Sequence, residues 1–180
     1  MRRLVGLICM FLFNVAGRAE RPEWLVPQRT DCSQIKDLDP EARSGVYWIQ
    51  TSIVKPPFKV FCEMQPDGGW TVLQRRSGGA LSFDRPWGAY KMGFGKYTED
   101  HLLGLAMVSC LTATKTWTLR VDLLDHNDVA AFAEYKNFWL GGEETAFKLH
   151  VGEYSGDAGT QCFLVMNTFI PFTSLLLVGL

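Results

Sequence analysis

Residues 58–75 hold two stretches of alternating side chains separated by Pro66-Asp67-Gly68-Gly69. In the first, Phe58, Val60, Cys62 and Met64 alternate with Lys59, Phe61 and Glu63. The second covers 70–75 and begins at Trp70. Period-two alternation sends successive side chains to opposite faces, and the intervening residues have strong turn chemistry. The pair therefore predicts a β-hairpin. A lone hairpin is at best marginal in water, so the rest of the chain must cover its apolar face.

Other segments supply candidate cover. In 116–123, Trp117, Leu119, Val121 and Leu123 share one face, and Thr118, Arg120 and Asp122 share the other. Residues 45–50 are rich in β-formers. Residues 133–140 and 146–151 are two further strand candidates separated by Gly141-Gly142. Asp31 is placed to cap a short helix over 32–36, and Asp84 to cap one around 86–90 that ends at Gly93. The apolar stretch 102–111 fits buried helix or strand equally well. Several short strands with glycine turns and few helices predict an α+β fold.

Of 180 residues, 47% are hydrophobic and 21% charged, which is globular composition. The formal net charge of −1 leaves no basic stripe to grip nucleic acid. The amino terminus reads as a secretory signal over 1–19. Arg2 and Arg3 precede an apolar run over 4–15, and Gly17 and Ala19 are the small residues that a signal peptidase reads. Cleavage between Ala19 and Glu20 is expected, followed by a linker over 20–31. Cys9 would leave with the signal, and Cys32, Cys62, Cys110 and Cys162 would enter an oxidising compartment. No Cys-x-x-Cys pair or histidine cluster has zinc-ligand spacing, and no cofactor motif is present.

Taken in order, a set of fragments resembles the fibrinogen-related domain. They include Gly45-Val46-Tyr47-Trp48-Ile49, Val60-Phe61-Cys62-Glu63-Met64 and Asp67-Gly68-Gly69-Trp70-Thr71-Val72-Leu73-Gln74-Arg75-Arg76. Next come Ser82-Phe83-Asp84-Arg85-Pro86-Trp87 with Tyr90, and then Gly93-Phe94-Gly95. Leu119-Arg120-Val121-Asp122-Leu123, Ala133-Glu134-Tyr135-Lys136-Asn137-Phe138 and Gly152-Glu153-Tyr154-Ser155-Gly156 complete the set. The resemblance covers 32–159 and is similar to the fibrinogen-like and angiopoietin-like secreted proteins. It implies an amino-terminal, disulfide-linked hairpin unit followed by part of a mixed, mainly antiparallel sheet. It also pairs Cys32 with Cys62, a bridge whose loop would contribute roughly 3–4 kcal/mol in the chain-entropy model. Pairing of Cys110 and Cys162 stays open.

Two departures from the family pattern stand out. Where the family carries Glu-aromatic-Trp-Leu-Gly-Asn, this chain reads Asp100-His101-Leu102-Leu103-Gly104-Leu105. Past Gly159 the family pattern is replaced by an apolar tail over 160–180, so the reading is an incomplete fibrinogen-like domain. None of the family's calcium or ligand residues carries over. The sheet containing 116–123 is expected to lack a strand that the family draws from its carboxyl-terminal part. The tail is read as an aberrant end, such as a splice form or truncated copy. Its alternatives are a membrane segment, a lipid-anchor signal, or a substitute strand through 162–165.

The resemblance implies a secreted, extracellular protein that binds a receptor, matrix protein or glycan and is not an enzyme. The remaining polar residues admit plain readings. His101, His126 and His150 lack a catalytic motif around them. Asp122, Asp125 and Asp128 lack EF-hand spacing. Arg75 and Arg76 read as the end of a surface strand rather than an anion site. The rival reading is a chain without autonomous ligand binding.

Overall fold

The computed structural model describes residues 29–53, 56–124, 129–159 and 173–179. The Ala19–Glu20 junction, His126, Asp125, Asp128, Cys162 and the proposed strand through 162–165 lie outside these residues.

Asp31 starts the fold as read. Its side chain accepts the Gln34 N–H at 3.1 Å and caps helix α1, Cys32–Leu38. Strands β1 (Gly45–Ile49), β2 (Phe58–Gln65) and β3 (Gly68–Arg76) form an antiparallel meander, with Pro66-Asp67 as the two-residue turn between β2 and β3. Helix α1 packs on β3 so closely that any Cβ at Gly69 would overlap the Cys32 carbonyl. The alternation in β2 divides its residues as expected. Val60 and Cys62 enter the main core, while Phe61 joins Trp70 and Val72 in a second cluster.

The middle of the chain departs from two expectations. Helix α2 spans Trp87–Met92 and ends at Gly93, but Pro86 is its cap residue and no side chain satisfies its first turn. Asp84 is not the cap; its own N–H is donated to Ser82 Oγ. Proline before the first turn presets φ without needing a side-chain acceptor. The ambiguous stretch 102–111 is both strand and helix. Strand β4 (Gly93–Gly95) pairs with β5 (His101–Leu103), and helix α3 (Leu105–Thr112) begins directly after Gly104. A Cβ at Gly104 would strike the backbone of Lys91 and Met92, so the switch from strand to helix occurs where only glycine fits.

Strands β6 (Trp117–Leu124) and β7 (Ala130–Leu140) pair antiparallel, with Val121 opposite Ala133. The strand expected over 146–151 is only β8, Leu149–His150. A 3-10 turn over Glu143–Thr145 precedes it, and Ala146 and Phe147 take left-handed conformations with φ of 55° and 54°. The N–H of Phe147 is spent on the Gly142 carbonyl within this turn, leaving it out of the ladder. Strand β9 (Tyr154–Gly156) pairs with β7 beside β8.

The expected gap in the sheet is filled. Strand β10, Thr173–Gly179, lies between β3 and β6 and runs antiparallel to both. The sheet order is β1-β2-β3-β10-β6-β7-β8. Leu176 and Val178 stand in register with Val121 and Leu119 of β6. The substitute strand therefore comes from the end of the tail, and β10 is a central strand.

On one side of this sheet, α1 and α3 close over a core that includes Ile35, Ile49, Val60, Leu73, Leu111, Trp117, Leu119, Val121 and Phe138. Each is below 7% exposed. Burying a side chain of this kind contributes roughly 1.5–3 kcal/mol.

Candidate recognition surface

The amino-terminal unit is anchored covalently and electrostatically. Cys32 and Cys62 are bridged with a Cα–Cα distance of 5.5 Å. One residue earlier, the buried Asp31 carboxylate meets Lys115 Nζ at 2.8 Å. Burial pushes the Asp31 carboxyl up. Hydrogen bonds from Lys115, Thr30 and Gln34 outweigh that and hold it below the usual carboxylate range. Lys115 Nζ also lies 4.6 Å from the ring of Trp117.

The opposite face of the sheet carries charge on aromatic supports. Pairing between β3 and β10 slips at Leu73, since Leu176 faces Gln74 whereas Leu177 faces Val72. One extra residue re-phases a strand. Arg75 would otherwise share the face of Leu73; instead it reaches the face of Val72 and Phe61. Its guanidinium lies 4.4 Å from the Phe61 ring and 3.2 Å from Glu63. Across the sheet, Arg120 sits 4.9 Å from the Phe132 ring and pairs with Asp122 at 2.8 Å and Glu134 at 3.0 Å. Burial pulls the Arg120 pKa down, but the two carboxylates overcome it and raise the net value. Asp122 is thus an arginine partner on a strand face.

The divergent slot over 100–105 is packed as a support. Asp100 is buried and accepts from Ser77 N–H at 2.8 Å, Ser77 Oγ–H at 2.7 Å and Gly79 N–H at 3.2 Å. Burial raises its pKa, yet these three bonds lower it overall. His101 is buried, with Nδ1 2.9 Å from the Glu99 carbonyl and its ring edge-on to Tyr97. Burial holds its pKa below the ordinary histidine value; the Glu99 bond opposes this, and the Arg75 charge adds to it. Beside the slot lies a cleft of about 140 Å³ lined by Met92, Gly93, Phe94, Tyr97 and Leu102 among others.

Aromatic side chains are also presented outward. Trp48 on β1 is exposed, with Lys59 Nζ 5.0 Å from its ring. Trp87 is exposed on α2 and packs 5.9 Å from Phe147. Trp139 is 45% exposed and lies parallel to the ring of its register partner His150 at 3.6 Å. His150 is thereby a platform for a tryptophan. Arg76 lies 5.1 Å from Phe83, and Arg85 lies 4.9 Å from Phe94. The described residues contain no group of three or more metal-ligating side chains. Cys110 is a free, partly exposed thiol on α3.

Sequence reading identified Cys32 and Cys62 and took Arg75-Arg76 as the end of a surface strand, but it missed the Asp100 cradle and the Trp139–His150 stack. Asp100 carries no local signal, because its donors come from Ser77 and Gly79. The stack depends on β8 pairing with β7, which the strand reading over 146–151 placed only loosely.

Residues 28–173 match the family described as fibrinogen beta and gamma chains, C-terminal globular domain, a span that reaches past Gly159. Bovine angiopoietin-4 is 43% identical over 138 residues, covering 76% of this chain and 28% of that protein. Human fibrinogen-like protein 1 is 42% identical over 135 residues, covering 73% of this chain and 43% of that protein. The fibrinogen-like globe domain of human ANGPTL6 superposes with a TM-score of 0.68 at 37% identity, covering 73% of this chain and 59% of that one. A lamprey fibrin D-dimer complexed with the peptide Gly-His-Arg-Pro-amide superposes with a TM-score of 0.69 at 33% identity, covering 82% and 48%. The chain thus spans less than half the length of these curated relatives. It belongs to the fibrinogen C-terminal globular-domain family, a family of non-enzymatic binding proteins.

Proposed function

We propose that this chain is a secreted, extracellular recognition module that binds a receptor, a matrix protein or a glycan. Membership of the fibrinogen C-terminal family carries the reading. The lamprey relative, held with a peptide ligand, supports a binding role of this kind. The outward tryptophans and aromatic-supported arginines supply suitable contact chemistry, since Trp and Arg dominate binding energy at protein interfaces. Secretion rests on the leader over 1–19; among the described residues no helix is long and apolar enough to cross a membrane.

Two experiments test this reading. Amino-terminal sequencing of protein from culture medium should begin at Glu20-Arg21-Pro22, and a retained Met1 refutes the leader. The folded chain, immobilised, is then presented to receptor ectodomains, matrix proteins and acetylated glycans. Saturable binding that weakens tenfold or more in Trp139→Ala or Trp48→Ala supports recognition through the outward aromatics. A chain with a cooperative thermal transition and no saturable partner favours the rival, in which this span lacks autonomous ligand binding.

A further inference from the structure

The position of β10 carries a consequence for assembly. Among the described residues, β3 and β6 do not pair with each other; β10 bonds to both, along five register pairs with β3 and seven with β6. Strand β10 spans Thr173–Gly179.

The two walls of the slot are also joined independently of β10. Lys115 ties β6's leading edge to Asp31 at α1. Helix α2 packs on α3, and α3 packs on β7. Ser109 Oγ donates to the Leu140 carbonyl at 3.3 Å, and Lys91 meets Glu143 at 2.6 Å. While β10 is transiently withdrawn, these ties keep β3 and β6 close enough to present two unsatisfied hydrogen-bonding edges, although the sheet is not stable without a strand between them. Such edges recruit an extended segment.

The chain between the sheet and β10 is long for the path it covers. From β9 the order runs through β7 and β6 to the slot, about 15 Å at the usual strand spacing. Residues 157–172 can extend to about 50 Å. That length reaches the molecule's own slot with slack to spare, and it equally reaches the slot of a neighbour. The segment known to match both edges in register is Thr173–Gly179 itself.

We infer that the slot between β3 and β6 is a site of strand exchange, in which Thr173–Gly179 of one copy completes the sheet of a second copy and yields a dimer. The molecule's own strand competes at high effective concentration, so exchange is concentration-dependent.

Sedimentation of the unsubstituted chain gives the first readout: the dimer fraction rises with concentration without loss of circular-dichroism signal. The second uses register partners Ser174 and Leu123 in a background carrying Cys110→Ser and Cys162→Ser. One tagged chain carries Ser174→Cys and another, differently tagged, carries Leu123→Cys. Each is first checked for a cooperative thermal transition, with Leu175→Cys and Asp122→Cys as the replacement pair. Refolded together and oxidised, they form a two-tag disulfide dimer linked between positions 174 and 123. The linked fraction rises about tenfold for a tenfold rise in concentration in the dilute regime. A chain that stays monomeric throughout overturns the inference. So does a dimer without the 174–123 link, which is a surface dimer. Neither result bears on receptor, matrix or glycan binding.

Discussion

Lys115 Nζ lies 2.8 Å from the carboxylate of Asp31, joining residues 84 positions apart. Asp31 is 1% exposed and also caps α1, which begins at bridged Cys32. One carboxylate therefore orients the disulfide helix and docks it at the entrance of β6.

Replacing that carboxylate separates its two tasks. Asp31→Ala removes cap and ion pair together and leaves Lys115 without its anion, so a loss of about 3 kcal/mol is expected. Asp31→Asn retains a good cap and should recover about 1 kcal/mol of that loss. Urea denaturation of both variants measures the difference. Equal stabilities would show that the cap contributes nothing.

Acid should weaken the fold in two windows. Asp31 and Asp100 are both held below the ordinary carboxylate range. A carboxyl with a depressed folded pKa contributes stability that is complete above its unfolded pKa of about 3.9 and is lost as pH falls through the folded value. His101 is held neutral below the ordinary histidine pKa. Its contribution is complete above about pH 6.5 and is lost as pH falls from there towards the folded value. Thermal melts from pH 8 to pH 2 should show both declines. His101→Gln should flatten the upper one, and an unchanged slope would remove His101 from the account.

Gly69→Ala should be more damaging than any propensity scale suggests. The added Cβ meets the Cys32 carbonyl, which the bridge to Cys62 holds in place. Overpacking of this kind costs about 1–3 kcal/mol. A melt within 1 °C of the parent would show that α1 shifts without penalty.

Removing the tail should unfold the sheet. Deleting 161–180 takes away β10 and leaves β3 and β6 with open edges inside the sheet. Leu176→Pro should have a similar effect, because proline in a central strand removes a ladder donor. Loss of the cooperative transition is the expected outcome for both. A soluble, cooperatively melting deletion variant would make the tail dispensable.

Local chemistry made several features legible. The alternation of Phe58, Val60, Cys62 and Met64 has period two whatever surrounds it, and the same holds for Trp117, Leu119, Val121 and Leu123. Pro66-Asp67 can hardly be anything but a turn. Asp31 before a short helical stretch specifies its own cap. The family, the α+β class and the Cys32–Cys62 pairing followed from motifs in a fixed order along the chain.

What the tertiary structure decided are relationships between segments remote in sequence. The 102–111 stretch divides at Gly104 because Lys91 and Met92 press against it, and no local property of that stretch reports their approach. Phe147 turns left-handed because its N–H bonds Gly142, which shortens the expected strand to Leu149–His150. Arg75 changes faces only because pairing with β10 slips at Leu73. The tail is a central strand because β3 and β6 leave one strand's width between them. An apolar run such as Thr173–Gly179 has no period to declare that role; two unpaired hydrogen-bonding edges assign it.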